Sequence, residues 1–176
     1  MSFKDLAKKR FSVRSFSEKE VEEEKIASLL EIARTAPTAA NRQPVRIAVI
    51  KDADKLSECT KYTFHAPLLL VVCYDREKSW KRRYDGHDAG EIDASIAATH
   101  IMLEAADLGL GTTWVGYFDP ALVKEKLCLP DNLVPVALLP LGYPAEGLQP
   151  IAQHTDRKEA KELLIDLPEE LSASRR

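Results

Sequence analysis

The sequence predicts an α+β domain on a central sheet, and three observations carry that reading. Helical and extended apolar patterns are interspersed along the chain, as when helices pack onto a sheet. The run Leu68-Leu69-Leu70-Val71-Val72-Cys73-Tyr74, opened by Pro67, reads as a buried strand. A long Ala-rich segment from Asp88 to Leu108 reads as a helix small-sided enough to pack closely against several neighbours. The 176 residues fit one compact domain and show no internal repeat or linker.

The elements follow in order. Phe3 to Arg10 can form a short helix. Ser17 is the expected N-cap of a second helix, clear by Glu22. Ile26, Leu29, Leu30 and Ala33 recur there at helical spacing, and Pro37 stops the run. Arg46 to Ile50 reads as a strand, Asp54 to Tyr62 as a helix, and Leu68 to Tyr74 as the buried strand. On the long helix, Ile92, Ile96, Thr99, Leu103 and Ala106 mark one face, and Gly109 and Gly111 end it. Thr112 to Val115 is a strand, Pro120 opens a helix, and Val134 to Leu141 is the last strand. Beyond Tyr143 the chain turns open and charged. Within the single domain 1–176, residues 144–176 are therefore expected to form an extended tail available to wrap a partner subunit.

Composition narrows the function. Hydrophobic residues make up 45% of the chain, ordinary for a globular core. The net charge of −3 argues against a general nucleic-acid binder. Cys59, Cys73 and Cys128 are odd in number and widely spaced, with no zinc pattern, which fits a reducing compartment. His65, His87, His100 and His154 show no metal spacing, so no metal is expected. No GxSxG elbow is present. The N-terminus has no apolar signal core, and the run from Ala66 to Cys73 is far short of a membrane span. A cytoplasmic protein without a membrane partner is the expectation.

Two segments stand out chemically. Arg10, Ser12 and Arg14 offer guanidinium forks and a hydroxyl within about one turn, the donors that grip a phosphate. They also read as the solvated basic end of a short helix. Pro37-Thr38-Ala39-Ala40-Asn41-Arg42-Gln43 breaks a helix with small and amide residues that allow close approach to a ligand's edge. Together the two suggest a phosphorylated cofactor. The glycines of Gly109-Leu110-Gly111-Thr112-Thr113-Trp114-Val115-Gly116 follow a helix and precede a strand, the reverse of the dinucleotide fingerprint, and no P-loop lysine follows. Gly109 reads as a helix cap, whereas Gly116 would let backbone approach a flat ligand. Trp80-Lys81-Arg82-Arg83-Tyr84 reads as a surface loop over an active site or as a nucleic-acid patch. Asp85, Asp88, Glu91 and Asp93 suit the N-terminal end of a helix dipole.

Five segments in this order resemble the nitroreductase family of FMN-dependent oxidoreductases. They are Arg10 to Phe16, Ala33 to Pro44, Ala66 to Val72, Gly109 to Gly116, and Leu141-Gly142-Tyr143-Pro144-Ala145-Glu146. The resemblance implies a nitroreductase-like fold, with a central mixed or antiparallel sheet flanked by helices, and an interlocked homodimer holding FMN at each subunit interface. It places Arg10, Phe11, Ser12 and Arg14 on the cofactor's phosphate and pyrimidine side. It places Pro37, Thr38, Ala39 and Asn41 on the other subunit's flavin, with Gln43 steadying the loop. Val115 and Gly116 would offer backbone near flavin N5, and Arg157 and Lys158 would complete the phosphate site. Two departures stand out: Phe11 replaces a usual basic residue, and Thr38-Ala39 replaces the commoner Ser-Ser. The family's middle-segment flavin contact has no evident counterpart between Cys59 and His65.

The implied activity is hydride transfer from NADH or NADPH through flavin N5 to a small acceptor, a nitroaromatic, quinone or flavin, with ping-pong kinetics. The flavin carries the chemistry, so no catalytic side chain is required. Trp80, Tyr84, Trp114 and Phe118 are the aromatic candidates for the substrate face. Flavin chemistry without NAD(P)H turnover, such as dehalogenation or flavin destruction, and a non-catalytic FMN-binding or sensing role are the competing readings.

Overall fold

The computed structural model describes residues 1–168; of the expected tail 144–176, positions 169–176 lie outside the described residues. The main elements are α1 (Phe3–Lys9), α2 (Glu23–Arg34), β1 (Val45–Ile50), α3 (Ala53–Cys59), β2 (Leu68–Asp75), α4 (Gly90–Asp107), β3 (Gly111–Thr112), α5 (Pro120–Lys126) and β4 (Leu133–Gly142). The strands form one sheet in the order β1-β2-β4-β3, and every neighbouring pair is antiparallel.

Strand β2 shows why its sequence is apolar without alternation. Leu68, Leu70 and Val72 face a core shared with Ile26 and Leu29 of α2 and Ala94, Ala98, Ile101 and Ala105 of α4. Leu69, Val71 and Cys73 face the opposite core, with Leu56, Val123 and Leu138. A strand covered on both faces buries every side chain. Each fully buried Leu or Val contributes about 1.5–3 kcal/mol.

Helix α4 packs through its small side chains, as its Ala-rich sequence suggests. Its buried stripe is Ala94, Ala97, Ala98, Ile101 and Ala105. Small side chains let this helix lie close to the sheet and to α2. The stripe of Ile92, Ile96, Thr99 and Leu103 instead points outward, and Ile92 is 51% exposed.

Several boundaries also move. Ser17 is not a helix cap, because α2 begins only at Glu23 with Glu22 as its N-cap; the Ser17 N–H donates to the Tyr143 carbonyl at 2.9 Å. Helix α3 stops at Cys59 because Thr60 turns extended. Helix α4 starts at Gly90 because Asp88 accepts its N–H at 2.9 Å and closes a loop ahead of the helix. Strand β3 is two residues long, and Val115 joins β4 separately through a bridge to Leu138. The described part of the tail forms two short 3-10 turns and is almost wholly exposed.

Candidate functional site

Helix α1 ends in Lys8 and Lys9, and the chain turns extended at Arg10. Ser12 then bridges Thr112 of β3 in parallel, and the Val13 N–H donates to the Thr112 carbonyl at 2.9 Å. Gly111 permits that approach, because a Cβ there would stand 2.5 Å from a Val13 methyl. Val13 is buried, so alternate residues Ser12 and Arg14 are turned to the surface.

The tail returns to this segment. His154 Nε2 lies 3.0 Å from the Lys8 carbonyl, and its ring packs edge-on against Phe11 at 6.1 Å. Arg10, Phe11, Ser12, Arg14, Ile151, Gln153, His154 and Arg157 thereby line one cavity of about 130 Å³. Among the described residues, none of these three arginines forms a salt bridge with an acid. Burial first, and then the Arg157 charge, lower the Arg10 pKa from its usual value. Partly buried like charges in one cavity are unfavourable until an anion joins them. The cavity therefore carries the charge to attract a phosphate-like anion. Lys158 is exposed and does not line it.

From Thr112 the chain leads to Val115 and Gly116, at most about 14 Å further on. Val115 is buried, and both its backbone groups are used: its N–H donates to Leu138 at 2.9 Å and its carbonyl accepts from Leu138 at 3.0 Å. Its N–H is therefore not free for a ligand, contrary to the role first assigned to it. The Gly116 N–H has no partner among the described residues. A Cβ on Gly116 would meet only the Trp114 indole, at 3.4 Å, so backbone and open space lie together there.

The middle segment, which sequence reasoning could not place, runs between these two parts. Phe64 packs both on the Val13–Phe16 cluster and on the core behind Val115. Tyr62 lies 6.0 Å edge-on from Tyr117 and 6.2 Å from Phe64. Phe118 turns partly into the core, while Tyr117 is 79% exposed.

Residues 37–43 form a second group. Ala40, Asn41 and Gln43 all hold left-handed backbone, with φ of 50°, 52° and 49°. Such conformations cost on the order of 1 kcal/mol or more each in residues other than glycine. The loop is closed internally: Thr38 Oγ1 accepts the Gln43 N–H at 3.1 Å, and Gln43 Nε2 donates to Asn41 Oδ1 at 3.1 Å. It is tied to α4 by the Ala39 N–H, which donates to Asp93 Oδ1 at 2.9 Å. Asp93 is 2% exposed. It is thus more than a surface acid complementing the helix dipole.

The two groups sit at opposite ends of α4. Asp93 holds the loop near its start, while Met102 and Ala106 line a cavity with Arg10 and Phe11 near its end. The rise from Asp93 to Ala106 is about 20 Å. Trp80 and Tyr84 belong to the loop end, in a turn where Arg82 N–H meets His87 O and Ala89 N–H meets Trp80 O, each at 2.9 Å. Tyr84 is 97% exposed. Trp114 and Phe118 belong to the Gly116 end, so one chain does not gather the four aromatic candidates. Sequence reasoning missed His154, Gln153, Tyr117 and Asp93 as site residues. His154 and Asp93 had been weighed only as metal or dipole residues, and only folding shows what they touch.

Among the described residues, no group of three His, Cys, Asp or Glu could hold a metal ion, and no helix is long and apolar enough to cross a membrane. Burial pushes the Cys73 thiol up to about 12, out of reach of a thiolate nucleophile at neutral pH.

Comparison with known proteins agrees with this geometry. The sequence profile of the nitroreductase family matches residues 7–64 and 59–143. A solved structure of a nitroreductase family protein from Clostridium difficile 630 superposes with a TM-score of 0.87 at 41% identity, covering 94% of this chain and 98% of that one. A protein of Archaeoglobus fulgidus, provisionally named NADH dehydrogenase/NAD(P)H nitroreductase, is 32% identical over 147 residues, 78% of this chain and 82% of its own. The FMN reductase [NAD(P)H] of Bacillus subtilis is 29% identical over 156 residues, 77% of this chain and 63% of its own. With a profile match across most of its length, and an antiparallel sheet whose first segment docks on the strand before Gly116, this chain belongs to the nitroreductase family.

Proposed function

We propose that the protein is an FMN-dependent oxidoreductase, working as a homodimer, that takes hydride from NADH or NADPH and passes it to a small acceptor such as a nitroaromatic, a quinone or a free flavin. The single observation carrying this reading is the cavity of Arg10, Ser12, Arg14, His154 and Arg157, whose arginines have no acid partner among the described residues. The names of the relatives from A. fulgidus and B. subtilis support the cofactor and the reductant.

Bound FMN supplies hydride acceptance and return at its N5 position. The chain's residues bind and orient it. Arg10 and Arg157 neutralise the phosphate, and Ser12 adds a hydroxyl on the same side. Arg14, exposed at the rim, is a fixed cation for negative charge on the ring's pyrimidine edge. Gly116 offers a free N–H with room for a flat ring, and Val115 keeps that strand end fixed through Leu138.

Pro37, Thr38, Ala39 and Asn41 serve the site of a second copy. The rise of about 20 Å along α4 between the loop and Arg10 supports this two-chain arrangement. The outward stripe of Ile92 and Ile96 supplies an apolar surface for pairing. Lys158 and the described tail after it are assigned to wrapping that second copy, with Leu163, Leu164 and Ile165 exposed for the purpose.

Steady-state turnover with varied NADH or NADPH and a nitroaromatic acceptor tests the proposal. Parallel double-reciprocal lines are expected. FMN-loaded protein that oxidises neither nucleotide would contradict it.

A further inference from the structure

We propose that Asp93 is the positioning residue for the flavin-facing loop, holding residues 37–43 in place through its bond to Ala39 so that Asn41 and its neighbours meet the ring rather than the phosphate. This rests on the reading of residues 37–41 as flavin-facing. The loop's own hydrogen bonds run from Thr38 to Asn41 and Gln43, from Ala39 to Arg42, and from Gln43 to Asn41. Among the described residues, the Ala39 N–H to Asp93 Oδ1 bond at 2.9 Å is the only hydrogen bond joining residues 37–42 to anything beyond residue 43. With Gln43 included, the three left-handed residues have one further tie, the Arg46 guanidinium donating to the Gln43 carbonyl at 3.1 Å, so the Asp93 bond alone fixes the part that carries Ala39 to Asn41.

Asp93 is a costly residue to place there. It is 2% exposed, and its Oδ2 is buried with no partner among the described residues. A half-paired buried carboxylate is a weak source of stability, because desolvation opposes the bond it makes. Its position is accounted for by what it holds. The carboxylate sits on α4, whose Ala94, Ala97 and Ala98 lie fixed in the core. The loop is thereby referenced to a helix buried in the core rather than to the exposed chain around it.

The test compares FMN with riboflavin, which lacks the phosphate, by fluorescence titration of the homodimeric protein. Asp93→Ala should weaken both ligands by a similar factor of about tenfold, the loss of one charge-assisted bond. Arg10→Ala should weaken FMN and leave riboflavin unchanged. Asp93→Asn keeps an acceptor for the Ala39 N–H and should stay within about threefold of wild type. A general loss of folding in Asp93→Ala would also weaken both ligands together, so the contrast with Asp93→Asn carries the discrimination.

Unchanged affinities in Asp93→Ala, or a loss confined to FMN, would overturn the role of Asp93 while leaving the phosphate site standing. An equal loss in Asp93→Asn and Asp93→Ala would also overturn it. Wild-type protein that takes up neither ligand would bring down the flavin reading itself. Amide exchange in the wild type guards against an unfolded alanine variant. Ala39 should exchange more slowly than Ala40, and equal rates would overturn the proposal.

Discussion

Arg10 and Arg157 come from the two ends of the described chain and line one cavity, and the charge of Arg157, after burial, lowers the pKa of Arg10. The tail brings them together: His154 reaches the Lys8 carbonyl and packs on Phe11, setting Arg157 beside the first motif. Two cations held this way draw an anion by charge.

Replacing either arginine with alanine should weaken FMN retention. Loss of a charge-assisted bond costs about 1.5–3 kcal/mol, or roughly tenfold and more in affinity. Equilibrium dialysis of folded Arg10→Ala and Arg157→Ala measures this. Lys158→Ala, outside the cavity, should retain FMN as wild type does.

The outward stripe of α4 should carry subunit pairing. Ile92 and Ile96, with His87, Glu91, Ser95 and Thr99, line an open groove of about 420 Å³. Ile92→Arg and Ile96→Arg should shift the protein toward monomer in sedimentation. FMN should be lost with the dimer, because the loop held by Asp93 lies too far along α4 to serve its own chain's Arg10.

Acid should loosen the packing of α2 on the last strand. The Tyr143 phenol donates to Glu22 and accepts from Lys25, each at 2.7 Å, while Lys25 also donates to the Leu108 carbonyl at 2.9 Å. The Glu22 carboxyl is held at about 2, against an ordinary 4.5, first by Tyr143, then by its own backbone and by Lys19. A carboxyl depressed in the folded state adds stability above its unfolded pKa, and that stability fades as pH falls through the folded value. The contribution is therefore complete above pH 4.5 and disappears toward pH 2. In Tyr143→Phe, the Glu22 titration followed by NMR should move up toward the ordinary range. The stability difference from wild type should shrink across that window.

Much of this was legible in the residues, for physical reasons. Leu68 to Tyr74 could be read because a strand covered on both faces must be apolar throughout. Pro120 marked a helix start because its missing N–H costs nothing there. Arg10, Ser12 and Arg14 stood out as close-set cation and hydroxyl donors, but they were read within about one turn, whereas the segment is extended and alternate residues share a face. What failed was set by distant contacts. Ser17 has the chemistry of a cap, but α2 begins only at Glu23, and Ser17 is instead tied to the end of the last strand through its N–H on the Tyr143 carbonyl. The bulky stripe of α4 could be marked as one face but not oriented; the sheet takes the alanine face because small residues allow closer approach. Asp93 resembled its acidic neighbours until burial and the bond to Ala39 set it apart. Val115 lost its free N–H to a bridge with Leu138 that no local pattern announces.

The most direct measurement is the visible spectrum of the FMN-reconstituted protein, recorded anaerobically before and after NADH or NADPH. Bound flavin absorbance that bleaches with either nucleotide, and returns when a nitroaromatic or quinone is added, is the predicted result. Protein that fails to take up FMN, or whose bound flavin stays oxidised with both nucleotides, would contradict the assignment as an NAD(P)H-driven flavin oxidoreductase.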